Sequence, residues 1–168
     1  MSVGKTTLVN SLRELSEFKD YETRTERSKY LRDLGIPLNT DSTLKGQTIF
    51  LAERCSELLQ NNIITDRTVI DVMAFTSQAK SINFKDKQDF INLAADLISE
   101  YDYIFYVDPV GVEIEDNGVR EVDSTYRDDI NYMINFYIAK YNPRIKNLVR
   151  LHGSNEERIE MVKNTLFS

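Results

Sequence analysis

A chain of 168 residues, 41% hydrophobic and 29% charged, has the size and composition of one soluble globular domain with a real core. Its net charge of −6 disfavours indiscriminate nucleic-acid binding, and its one cysteine, Cys55, allows no internal disulfide. No apolar run is long enough to span a bilayer and no secretory leader is read, so the expected compartment is the cytoplasm.

The first element carries the strongest chemical signal. Met1-Ser2-Val3-Gly4-Lys5-Thr6-Thr7 reads as the second half of a phosphate-binding loop, Gly, four residues, then Gly-Lys-Ser/Thr. The first Gly, one spacer residue and a preceding strand are not in the sequence, so the expected domain is N-terminally truncated. Backbone N–H groups at a helix N-terminus point at phosphate oxygens, and the helix dipole favours negative charge there. Val3, Gly4, Lys5, Thr6 and Thr7 are therefore the expected nucleotide-binding residues. Lys5 would reach the terminal phosphates and the Thr6 hydroxyl would hold Mg²⁺. The bland reading of the same residues is a capped surface helix.

The helix itself is expected from about Lys5 to Phe18, followed by a short extended piece at Tyr21 to Thr23. A charged helix from about Thr25 to Leu34 stops at Gly35-Ile36-Pro37. The next, from about Ser42 to Leu59, has the stripe Leu44, Thr48, Leu51, Cys55 and Leu58. Asn62 to Thr65 reads as a buried strand that delivers Asp66-Arg67, and Val69 to Gln78 as a helix despite its β-branched residues. An amphipathic helix covers Asp86 to Ser99, and Tyr103 to Val107 is the best strand, ending at Asp108-Pro109. An acidic loop, Val110 to Val122, precedes a helix capped by Asp123 or Ser124 with the stripe Tyr126, Ile130, Met133, Ile134, Tyr137 and Tyr141. Asn147 to Leu151 forms a last strand, and Ser154 with Glu157 opens the final helix as a capping box. Strands alternating with helices predict an α/β domain with a mostly parallel sheet, in which ligands sit beyond the strand C-termini. That brings Asp66, Arg67 and Asp108 to the loop's side.

Together these pieces resemble the P-loop nucleoside and nucleotide kinases. The group includes the ribosylnicotinamide-kinase domain of NadR-type proteins, phage-encoded AAA domains and thymidylate kinases. Four places carry the resemblance: Ser2 to Thr7, Ile63 to Arg67, Asn117 to Arg120 with Tyr126-Arg127, and Leu151 to Ser154. It implies a three-layer P-loop NTPase fold over residues 1–168 with an arginine-bearing lid at about 110–127. It also implies ATP as donor, Mg²⁺ as cofactor, and Gly153 and Ser154 near the adenine. Membership would further allow a homodimer and, for a phage-encoded protein, the host's cytoplasm.

Phosphoryl transfer needs charge neutralisation and in-line positioning more than covalent chemistry. Lys5, Arg67, Arg120 and Arg127 would supply positive charge, and lid closure would exclude water. Asp66 is the strand-end carboxylate that would polarise the acceptor or organise magnesium; Glu22 or Glu26 could serve instead. Glu22, Glu26, Gln47 and Arg67 are the acceptor-side candidates. Each has a plain rival: Arg127 as a surface ion pair, Gln47 as a surface residue, Asp66 as a helix cap. The expected activity is ATP-dependent transfer to a nucleoside or nucleoside monophosphate. The alternatives are a GTPase or ATPase switch, a non-catalytic nucleotide-binding protein, and a kinase of a hydroxymethylated base in DNA. Asp108-Pro109-Val110-Gly111 suits a switch motif, but no Asn-Lys-x-Asp guanine reader follows it.

Overall fold

The computed structural model describes residues 4–25, 28–108 and 124–168. Val3, Glu26, Arg120 and most of the expected lid lie outside the described residues.

The first helix, α1 (Lys5–Arg13), is shorter than its apolar stripe suggests. Leu15 turns extended, at φ −84° and ψ 140°, and a 3-10 turn, Ser16–Phe18, follows. The break swings Phe18 into the core, edge-on to Tyr21 at 5.1 Å and to Phe167 at 5.2 Å. The chain then enters β1 (Glu22–Arg24) and α2 (Ser28–Asp33). Gly35, at φ +94°, ends α2: its N–H bonds to the Arg32 carbonyl at 2.8 Å, and the Ile36 N–H to that of Leu31 at 3.1 Å.

The third helix, α3 (Leu44–Glu57), starts on a Thr43 cap whose hydroxyl accepts from the Gly46 N–H at 3.1 Å. Its buried face shares Leu51 with the expected stripe but is otherwise rotated from it. Leu44 and Thr48 are exposed, whereas Gln47, Leu51, Arg54 and Glu57 are buried. Hydrophobic periodicity cannot register this face, because its polar groups satisfy one another. Arg54 Nε donates to Glu57 Oε1 at 2.6 Å, and Gln47 Nε2 donates to the Thr76 hydroxyl at 3.0 Å. Burial pushes the Glu57 carboxyl up from its ordinary value, although Arg54 pulls the other way. Glu57→Ala would strand a buried guanidinium and is expected to cost about 3 kcal/mol in denaturant unfolding, the low end for a broken buried pair. Glu53, 3.9 Å from Arg54, remains as a second partner.

After β2 (Ile63–Thr65), α4 (Val69–Ser77) begins on a capping box between Thr68 and Asp71. The fifth helix, α5 (Phe84–Ala95), starts at an Asn83 cap, and β3 (Ile104–Val107) follows a 3-10 turn. Then come α6 (Ser124–Lys140), β4 (Leu148–Leu151) and α7 (Asn155–Phe167), the last opened by the expected Ser154–Glu157 capping box.

Strand side chains alternate between two cores, as a period of two requires. Ile104, Tyr106 and Leu148 join the cluster built by α3, α4, α5 and α6, including Met73, Phe90 and Tyr137. Phe105, Val107, Val149 and Leu151 join the cluster of α1 and α7, including Leu8, Leu12 and Val162. The result is a helix–sheet–helix sandwich of three layers.

All pairings among the described strands are parallel, as expected, but they form two separate ladders. β1 pairs with β2, with Thr23 opposite Ile64; β3 pairs with β4, with Phe105 opposite Val149. Between the ladders lies a cavity of 420 Å³ whose walls include residues 63–65 of β2 and 104–107 of β3. Among the described residues no helix is long and apolar enough to cross a membrane.

Candidate functional site

Lys5 and Thr6 start a helix directly behind Gly4, whose φ of +80° turns the chain into α1. The Thr6 hydroxyl donates to Asp66 Oδ2 at 2.6 Å. This bond joins the first turn of α1 to the residue just after β2 across 60 positions of sequence. On the other side, Arg158 of α7 donates from Nη2 to the carbonyl of Asp108, just after β3, at 2.9 Å. The loop therefore sits in the crevice at the carboxyl ends of β2 and β3, the position α/β sheets reserve for ligands.

Lys5 Nζ lies 3.7 Å from Asp71 Oδ1. Sequence reasoning missed Asp71. Its available signal was Thr68-x-x-Asp71, a capping pattern at the mouth of a helix. The other oxygen, Oδ2, accepts from the Thr68 N–H at 2.8 Å, so one carboxylate caps α4 and holds Lys5. Burial alone would raise the Asp71 carboxyl; Lys5, Arg67 and the Thr68 N–H outweigh it and hold the group below its ordinary value. A depressed carboxyl stabilises the fold above the unfolded-state value, about 3.9, and loses that contribution as pH falls through the folded one. Asp71→Ala is thus expected to lower stability by about 1–2 kcal/mol at pH 7. In urea unfolding measured from pH 7 down to pH 2.5, the gap to wild type should close below about pH 4. A gap constant across that range would mean the cap, not the charge, matters.

Arg67 lines the same cavity as Lys5, Asp66 and Asp71, and its guanidinium lies over the Phe75 ring at 4.9 Å. Phe75 in turn meets Tyr126 at 6.4 Å, which brings the first turn of α6 to this wall. Arg127 is half-buried on that turn.

Other candidates fall elsewhere. Glu22 is exposed and opens β1 opposite Ile63, at the amino end of the ladder, whereas Asp66 follows its carboxyl end. Gln47 is buried against Thr76 and does not line the cavity. Its amide joins α3 to α4 and is not presented to a ligand. Gly153 and Ser154 lead into α7, which Asn155 ties to the Ser11 hydroxyl of α1 at 3.1 Å. Thr7 is exposed on α1.

The residues present suit a magnesium–triphosphate. A threonine hydroxyl can offer a lone pair to a cation while donating its proton to a carboxylate, which is the orientation of Thr6 toward Asp66. Magnesium takes such hard oxygens, typically one or two carboxylates completed by phosphate and water. Lys5 and the N-terminal end of the α1 dipole provide the positive side.

Comparison with curated proteins and with solved structures finds no match. A family model described as an AAA domain matches residues 1–158. With that match and a phosphate-loop helix at the carboxyl ends of parallel strands, the chain belongs to the AAA domain family and is a P-loop NTPase-type domain.

Proposed function

We propose that this domain transfers the terminal phosphoryl group of ATP to a small nucleoside or nucleotide acceptor. The observation that carries the reading is the Thr6–Asp66 bond of 2.6 Å beside Lys5, with Arg67 lining the same cavity. A magnesium site and two cations then converge where a triphosphate would lie. In the reaction, the acceptor oxygen bonds to the terminal phosphorus as the bond to the bridging oxygen breaks, and ADP leaves. Lys5 and Arg67 balance the charge that spreads over the transferred oxygens. Thr6 and Asp66 would hold magnesium, which when bound supplies charge neutralisation to the donor's phosphates. Asp66 is also the strand-end carboxylate through which an acceptor hydroxyl could be polarised. Arg120 and Arg127, from the lid at about 110–127, would close over the donor and exclude water.

Nucleosides, nucleoside monophosphates and nicotinamide riboside are the acceptors this reading admits. A hydroxymethylated base in DNA is disfavoured by the net charge of −6. A homodimer accords with the same reading. An extended parallel strand ahead of the loop would occupy the cavity between β2 and β3.

The test is titration with ATP and GTP, with and without magnesium, followed by an acceptor panel with ATP. Magnesium-dependent ATP binding and phosphorylation of one acceptor class are expected. Tighter GTP binding, or ATP hydrolysis unaffected by every acceptor, would sink the kinase reading. Arg120→Ala is expected to reduce turnover more than ATP affinity; equal losses would remove Arg120 from the lid.

A further inference from the structure

Arg158 is 3% exposed, one of the few buried charged residues among those described, and it stands on α7, far in sequence from the phosphate loop. Its side chain meets the loop's first described residue. A Cβ built on Gly4 would lie 2.8 Å from Arg158 Nη1, so the guanidinium occupies the space next to the Gly4 backbone. Nη2 is anchored at 2.9 Å on the Asp108 carbonyl, which continues β3. The same helix is tied to the back of α1 through Asn155 and Ser11. A guanidinium is planar, permanently charged and multiply donating, so it can brace two backbone segments at once; an ammonium offers a single compact point of contact.

We propose that Arg158 is the positioning residue of the phosphate loop. Its guanidinium is the floor against which Gly4 makes its left-handed turn, and the Asp108 carbonyl fixes that floor relative to β3. The turn sets where α1 begins, and so the direction in which the N–H groups of its first turn present themselves to an anion. The affinity part of this inference rests on the nucleotide reading above; the loop-floor part does not.

Arg158→Met, Arg158→Lys and a reference variant, Val162→Ala, separate positioning from mere stability in the full chain. Val162 is buried on the same helix in the apolar cluster and has no place in the site. Two readouts are taken at a temperature where all variants are folded by circular dichroism. The first is exchange of the Leu8 amide, which bonds to the Gly4 carbonyl at 2.9 Å and reports the first turn of α1. Beyond the acceleration that each variant's loss of stability in urea unfolding accounts for, Arg158→Met should speed it at least tenfold relative to wild type, and Val162→Ala, which shares Leu8's apolar cluster, should not. The second is magnesium–ATP affinity, which should fall at least tenfold in Arg158→Met, recover in part in Arg158→Lys, and stay within threefold in Val162→Ala. Unchanged Leu8 exchange in Arg158→Met, or equal losses in both readouts for Val162→Ala, overturns the proposal. If wild type binds no magnesium–nucleotide, the functional reading falls, and the exchange comparison still decides the role of Arg158.

Discussion

Lys5→Ala is expected to lower phosphoryl-transfer turnover by about 10³-fold, the scale for deleting one preorganised group that meets developing charge. That factor corresponds to about 4 kcal/mol of transition-state stabilisation. The cause is positional. Lys5 sits 3.7 Å from Asp71, at 20% side-chain exposure, on the wall of the cavity that also holds Asp66 and Arg67. An ammonium there is poised between a fixed carboxylate and the crevice, and an arriving terminal phosphate would compete for it. Removing it leaves Asp71 with its Thr68 cap but without the Lys5 ammonium beside it, so some stability is lost too. Thermal melting must therefore accompany the kinetics. The expected pattern is a cooperative transition only a few degrees lower, with turnover close to background at saturating ATP. Turnover within tenfold of wild type would show that the loop lysine is not part of the chemistry.

How far the sequence carried the site depends on what kind of signal each residue leaves. Thr6 and Asp66 stand where a motif and a strand end mark them in the sequence, and the fold joins the two by a hydrogen bond. The order of elements was legible from period and caps; the Ser154–Glu157 box is present as read. Tertiary burial was not. The inner face of α3 holds Gln47, Arg54 and Glu57 because those groups find partners across or along the helix, and an apolar stripe cannot encode partners. Gln47, expected on the acceptor side or at the surface, is buried with its amide on Thr76. Asp71 and Arg158 reach the loop from α4 and α7, and nothing local to either residue announces that meeting. Glu22 stands apart from this group for a directional reason: parallel strands put function at their carboxyl ends, and Glu22 is at the start of β1.

Extending the chain ahead of Met1 with about six β-branched and apolar residues followed by Gly and one spacer residue is expected to raise stability by roughly 3 kcal/mol, from apolar burial less the cost of ordering the added backbone. For a domain of this size that corresponds to a melting-temperature rise of about 6–12 °C. The argument begins with the two ladders. Among the described residues β2 pairs with β1 and β3 with β4, and the two inner strands line one 420 Å³ cavity. Both are parallel to their partners, and both end beside the loop: Asp66 after β2 bonds Thr6, while Asp108 after β3 holds the arginine under Gly4. A segment running into Gly4 from the amino side would therefore travel between β2 and β3 in their own direction. Its backbone would bridge the ladders into one five-stranded sheet, and its side chains would meet the cores already served by Ile104 and Val107. The extension should also raise magnesium–ATP affinity, because it supplies the first Gly of the phosphate-binding loop and its backbone N–H groups. A polar, glycine-rich extension of equal length provides the control. If both extensions melt together with the unextended chain, and amide exchange along β2 and β3 is the same in all three, the cavity is not a strand site. In that event the two ladders are complete as they stand, and the stability of the domain comes from its helical layers.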